Sequence, residues 1–129
     1  MRRRDREITD AREIARIMGL CQSVSVAFAG ETPYVVPVNF GFAIEDGAFC
    51  LYIHGASEGE KMRRMALDPR AAFAMHTAET LIEAQSACGY TMDFLSVCGS
   101  GTLETLSGEE KRRGLMRIMD HYAPGRTFA

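Results

Sequence analysis

The sequence has no tryptophan, a single asparagine and only two lysines among its fifteen basic residues. Its four cysteines, at positions 21, 50, 88 and 98, form no C-x-x-C pair and have no histidines at zinc-ligand spacing. Neither a disulfide framework nor a metal site is therefore expected, and the default is a reduced, cytoplasmic protein. Long apolar runs are missing too. The longest uncharged stretch, residues 17–30, spans fourteen positions and contains Gln22, Ser23 and Ser25. A membrane helix needs about twenty mostly apolar residues, so no membrane partner is expected. Charge of one sign is also lacking: fifteen basic against seventeen acidic side chains leave a net charge of −2. That balance argues against a protein built to hold nucleic acid. The basic start, Met1 to Glu7, has no apolar segment behind it and so does not read as a secretory signal. Interleaved acids suit it better to a solvated arm or a dimer contact.

What is present is an ordinary globular balance over 129 residues, 47% hydrophobic and 25% charged, which predicts one domain. Asp10 with Glu13 reads as a capping box for a short first helix carrying Ile14, Ile17 and Met18. From Ser23 the period shortens to that of a strand, with Val24, Val26 and Phe28 on one face. A second strand is expected over residues 34–44, made irregular by Pro37. Asp46-Gly47 predicts a hairpin turn into a strand over residues 48–53. A small-residue loop and a helix bearing Met62, Met65 and Ala66 follow, ended by Asp68-Pro69. Residues 71–77, 80–84 and 96–106 read as further strands, with residues 90–94 ambiguous and Gly99 and Gly101 marking a bend or a close approach. Ser107 and Glu110 predict the cap of a last helix striped by Leu115, Ile118, Met119 and Tyr122. The fold class is α+β, mainly β: about six antiparallel strands in a barrel with flanking helices.

Three segments depart from plain core patterning. Pro37-Val38-Asn39-Phe40-Gly41 sets the only asparagine between apolar residues. It reads either as a bulge whose Asn39 satisfies local backbone groups, or as a strand edge offering N–H and C=O groups to a planar heterocycle. In Ile53-His54-Gly55-Ala56-Ser57-Glu58-Gly59-Glu60-Lys61 a strand runs through a loop poor in side chains to a helix start beside a rare lysine. Open N–H groups, the helix dipole and Lys61 attract anions there, with His54 and Ser57 as further donors, while Glu58 and Glu60 oppose this. No P-loop or G-x-G-x-x-G spacing is present. The third segment is Ala87-Cys88-Gly89-Tyr90-Thr91-Met92 leading to Ser96-Val97-Cys98-Gly99. It gathers hydroxyls and thiols without acid–base partners, so Cys88 reads as a packed residue before a nucleophile. Cys50 reads as a buried small hydrophobe, His76 as structural, and His121 as a helix C-terminal cation or surface group.

Taken together and in order, these motifs resemble the flavin-nucleotide-binding group related to nitroimidazole-resistance (Nim) proteins, within the pyridoxamine 5′-phosphate oxidase-like superfamily. The resemblance covers nearly the whole chain. It implies a split β-barrel that binds FMN, with FAD a second possibility, at the interface of a homodimer. Pro37, Val38, Asn39 and Phe40 would lie along the isoalloxazine. His54, Gly55, Ala56 and Lys61 would hold the phosphate and ribityl chain, and Ser96 and Val97 would line the pocket with Cys88 nearby. Relatives often carry serine where Gly55 stands and lysine where Ser57 and Glu60 stand, so this chain offers less positive charge to a phosphate. Relatives also continue into a closing strand after the last helix, whereas this sequence stops at Ala129.

The implied activity is an FMN-dependent oxidoreductase that reduces a small electrophile, such as a nitroaromatic, from a nicotinamide donor. Catalytic residues are not identified, because a flavin brings its own chemistry. The alternatives are a non-catalytic flavin- or small-ligand-binding protein and, ranked below it, a pyridoxamine 5′-phosphate oxidase, whose second phosphate would need a cationic cluster the sequence lacks. Haem held by His54 or His76 ranks last among the cofactors.

Overall fold

The second strand expected from the sequence, residues 34–44, is the element on which the architecture turns. The computed structural model describes residues 4–55 and 58–126. In it the helix α1 (Ala11–Leu20) precedes β1 (Val24–Phe28), β2 (Tyr34–Val38), β3 (Phe40–Glu45) and β4 (Ala48–Ile53). Then come α2 (Glu60–Leu67), β5 (Arg70–Ile82), β6 (Thr91–Thr102) and α3 (Gly108–Tyr122), with 3₁₀ turns at Arg4–Arg6 and Ala87–Gly89. A four-stranded antiparallel sheet runs β2-β1-β5-β6, and β3 pairs only with β4. The expected second strand therefore serves both sheets and changes partner at Asn39. Pro37 keeps its register opposite Ser25 on the edge strand, where a missing N–H is tolerated, so the irregularity falls at Asn39 and not at the proline. A strand that changes sheets at a kink makes the corner of an orthogonally packed, open barrel. This is the mainly β class that the patterning predicts and the split barrel that the family resemblance implies.

The core lies between the sheets and α1. Ile17 and Met18 of α1 meet Cys21, Val24, Val26, Phe28, Phe40 and Met75. Asp10 caps α1 by accepting from the Arg12 N–H at 2.9 Å, but Glu13 binds Arg16 instead of returning to the cap, so the capping box is half formed. Asp46 and Gly47 both take positive φ, 51° and 81°, as a tight two-residue hairpin requires.

Helix α3 lies on the β3–β4 hairpin through two glycines. A Cβ on Gly41 would sit 2.4 Å from the backbone of Arg117 and Ile118, and one on Gly114 would sit 2.8 Å from the Tyr52 ring. Side chains at either place would hold helix and hairpin apart. Gly99 makes the same kind of approach to the Phe73 ring, whereas Gly101 faces open space.

Several expectations are corrected. Residues 71–77 and 80–84 are one strand, β5, ending at Ile82, because a bulge between Thr77 and Thr80 absorbs the change of period. The final strand starts earlier than expected, at Thr91, and stops at Thr102. Ser107 makes no side-chain cap bond to α3. Cys50 is half-buried and not buried, because β4 turns Phe49, Leu51 and Ile53 toward the core and leaves Cys50 on its other face.

Replacing Gly41 with alanine is expected to destabilise the protein by about 2–3 kcal/mol in urea denaturation, because the backbone of α3 must shift to admit the methyl group. Gly101→Ala should stay within about 0.5 kcal/mol of the parent. Equal effects at the two positions would rule out the close approach as the reason for Gly41.

Candidate functional site

The register of the hairpin brings two of the three unusual segments together. Phe40 pairs with Ile53, and Asn39 and His54 are the next residues beyond that end of β3 and β4. The chain then passes through Gly55 and reaches α2 at Gly59, whose φ of 123° and ψ of −172° belong to a region open essentially to glycine alone. No side chain caps α2, and its first helical hydrogen bond is Arg63 N–H to the Gly59 carbonyl at 3.0 Å. The preceding amides are left without helical partners. Lys61 reaches back from this first turn, and its Cε and Nζ lie 3.3 and 3.4 Å from where a Gly55 Cβ would be. An ammonium thus rests against bare backbone beside uncapped amides. That arrangement suits an anion.

Glu60, which the sequence sets against such a site, is turned away from it. Its carboxylate binds Arg63 at 2.6 Å and Arg64 at 2.8 Å, and these arginines hold its pKa at about 2. Among the described residues Lys61 itself has no ion pair.

Arg64 is the member of α2 that sequence reading missed. Met62, Met65 and Ala66 were expected to form the inner stripe, yet Arg64 is the buried residue and Ala66 is exposed. Its guanidinium donates to the Thr32 carbonyl, lies 4.9 Å from the centre of the Tyr34 ring, and fills the space over Gly30, where a Cβ would come within 2.7 Å. It therefore ties α2 to the β1–β2 turn. In a run of Lys61, Arg63 and Arg64, nothing in the sequence distinguishes the cation that is desolvated.

The corner is braced from inside by the end of α3. Phe40 has no exposed surface, and its N–H donates to the Tyr122 hydroxyl at 3.1 Å, which donates in turn to the Gln22 carbonyl at 2.8 Å. His121 Nε2 donates to the Cys21 carbonyl at 2.7 Å, with its ring 4.3 Å from that of Phe40. Two expectations change here. The Phe40 N–H is not free for a ligand, and His121 is a half-buried latch instead of a surface cation. Both follow from α3 closing over the corner, a long-range packing that local pattern does not report.

The remaining site candidates divide. Pro37 and Asn39 are exposed on the edge, and Val38 is half-buried toward the core. His54 and Gly55 are exposed, while Ala56 and Ser57 lie outside the described residues. Ser96 and Val97 sit in β6, opposite His76 and Met75, and Cys88 is exposed in the 3₁₀ turn before it. Three inter-strand steps along the sheet, roughly 14 Å, separate β6 from β2. Strand pairing within one chain brings none of these three to the Lys61 corner. His76, expected to be structural, is exposed and paired with Glu79.

The family model for pyridoxamine 5′-phosphate oxidase matches residues 10–129. Among solved structures, a candidate 5-nitroimidazole antibiotic resistance protein from Bacteroides thetaiotaomicron VPI-5482 is 30% identical, with a TM-score of 0.78 over 95% of this chain and 71% of that one. An FAD- and heme-binding protein from Mycobacterium smegmatis is 22% identical, with a TM-score of 0.77 over 92% of this chain. A flavocytochrome from Azotobacter vinelandii is also 22% identical, with a TM-score of 0.71 over 93%. The chain spans 57% of the length of each of these last two. No curated protein matches it. No helix among the described residues is long and apolar enough to cross a membrane.

Because the folded-state pKa of Glu60, about 2, lies below its ordinary 4.5, its pairing with Arg63 and Arg64 stabilises α2 fully above about pH 4.5. That stabilisation fades as the pH falls toward 2. Glu60→Gln should therefore lose less stability than the parent between pH 5 and pH 3, measured by urea midpoints. Parallel pH slopes would show that the pairing has no part in holding the helix.

Proposed function

The chain belongs to the pyridoxamine 5′-phosphate oxidase family, within the group related to nitroimidazole-resistance proteins, and from that premise we propose that it is a flavoprotein that binds FMN and passes electrons to a small acceptor. The observation that carries this reading is the Lys61 ammonium lying against Gly55 at the uncapped start of α2. A terminal phosphate placed there would meet a full positive charge, open amides and the positive end of a helix dipole. The bare Gly55 backbone leaves room for a phosphate oxygen where a side chain would stand. His54, beyond the same hairpin end as Asn39, is within the same corner and can donate to the ribityl chain.

When bound, a flavin supplies hydride and single-electron chemistry, which no dyad in this corner would have to provide. The residues of the chain hold and orient. Pro37 and Asn39 present an exposed strand edge, with the Asn39 amide able both to donate and to accept at a heterocycle. Tyr122 and His121 keep that edge rigid from behind. The thin cationic set, with Arg64 engaged internally, favours modest affinity for the phosphate.

A homodimer completes this reading. Ser96 and Val97, which the family resemblance assigns to the same pocket, are on β6, the far strand of the sheet, and Cys88 is in the turn before it. In this reading the partner subunit brings them to the Lys61 corner. The outer sheet face also carries exposed Val35, Met92 and Phe94, 64%, 45% and 51% accessible, as an association surface would.

Purified protein should be yellow or should quench added FMN fluorescence. Colourless protein that leaves FMN unchanged would overturn the proposal, and bound FMN that neither NADH nor NADPH reduces would favour a carrier over a reductase. Lys61→Ala should weaken FMN binding by about 1.5–3 kcal/mol, or about 10–100-fold. An unchanged Kd would remove Lys61 from the site. Light scattering should report a dimer, and a monomer with full FMN occupancy would refute a shared pocket.

A further inference from the structure

Helix α2 is too short to place itself. Its eight residues make about two turns, and isolated helices of that length are marginal in water, so what α2 touches decides where it stands. Its apolar side chains contribute little: Met62 and Met65 are half-buried, Ala66 is exposed, and Leu67 is 75% accessible. Gly59 offers no side-chain cap at the start. The one buried residue of the helix is Arg64. Its guanidinium is engaged on three sides. Nε donates to Glu60 within the helix at 2.8 Å, and Nη1 donates across to the Thr32 carbonyl. The Tyr34 ring lies against its face, and Nη1 occupies the place a Cβ on Gly30 would need. A planar fork can satisfy a carboxylate, a carbonyl and a ring together, which an ammonium on a flexible stem cannot. The β1–β2 turn is shaped around this side chain, with glycine at residue 30 taking a φ of 154°.

We propose that Arg64 is the positioning residue of the Lys61 corner, and that through it the β1–β2 turn sets how strongly the corner prefers a phosphorylated flavin to an unphosphorylated one. Lys61 lies one helical turn before Arg64, about 4.5 Å along the axis, so what fixes Arg64 also fixes the Lys61 ammonium against Gly55. A charge-assisted hydrogen bond depends on separation and angle, and a helix free to shift by roughly an ångström forfeits much of it. Arg64 acts through Lys61 and not on the phosphate, because its own donors are committed inside the protein. The inference rests on the flavoprotein reading for its ligand and adds to it what holds the phosphate cation in place. The turn is exposed over residues 30–33, so the preference is open to change from outside the corner.

The test compares FMN with riboflavin, which lacks the phosphate, by flavin fluorescence on the full chain. With Lys61 on the phosphate, the parent should prefer FMN by about 10–100-fold. Arg64→Met and Arg64→Lys should each cut that preference at least about fivefold, while the riboflavin Kd stays within about twofold. Gly30→Ala, which crowds the guanidinium from the turn, should lower the preference in the same direction, and it serves if an Arg64 variant fails to fold. Lys61→Ala combined with Arg64→Met should be no worse than Lys61→Ala alone, because the two act through one contact. A second readout uses the only two lysines of the chain. With ¹³C at lysine Cε, the Lys61 signal should move saturably with inorganic phosphate in the parent and lose that response in Arg64→Met. The Lys111 signal, from α3, should stay in place as the mark of an intact fold. A preference kept by either Arg64 variant, equal weakening of FMN and riboflavin, additive losses in the double variant, or an unchanged phosphate response in Arg64→Met would overturn the proposal. Parent protein that binds no flavin yet shows the phosphate response would overturn the preceding reading, and the Arg64→Met comparison would still decide this one. A parent that responds to neither probe would overturn both.

Discussion

Everything in this structure depends on how the chain is held where it leaves one sheet for the other. At Asn39 the ladder with β1 ends, and at Phe40 the ladder with β4 begins. A backbone amide at such a break must find a partner once it is buried, since an orphaned one costs about 1–3 kcal/mol. Tyr122 supplies that partner through its hydroxyl and passes the bond on to Gln22. One side chain from the last helix thereby joins the strand break to the segment between α1 and β1. The same helix can come this close only because Gly41 and Gly114 have no side chains in the way.

Two cations on the first turns of α2 show how one helix divides structural and chemical work. Arg64 is nearly buried, yet its planar guanidinium satisfies a carbonyl, a carboxylate and an aromatic face at once, which offsets the desolvation. Lys61, three residues earlier, is left with its ammonium beside bare backbone. By anchoring α2 to the β1–β2 turn, Arg64 sets where Lys61 and the uncapped amides stand. The site is therefore a product of the clamp as much as of the residues that face a ligand.

Much of this was legible beforehand. The hairpin at Asp46-Gly47, the stop at Asp68-Pro69 and the unusual character of Asn39 and Lys61 all rest on local chemistry: positive φ, a missing N–H, a scarce residue type. Those are properties of a few neighbouring residues and survive in any context. The bulge at Ala78 reads in the sequence as a gap between two strands, because a one-residue shift of register looks the same there as a short break. Arg64 and Tyr122 were unreadable for a different reason. Each acts on residues 32 and 82 positions away, and the periodicity around them is that of any amphipathic helix.

The sequence by itself determined the class of fold and the turn chemistry, because hydrophobic period and backbone restriction act locally. Only the tertiary structure decided that Phe40 pairs with Ile53, that the Phe40 amide is already spent on Tyr122, and that Ser96 and Val97 stand opposite His76 and Met75. It also placed His76 in an exposed pair with Glu79. Those outcomes depend on strand register and on helices closing across long stretches of chain, and such contacts leave no trace in the spacing of neighbouring residues.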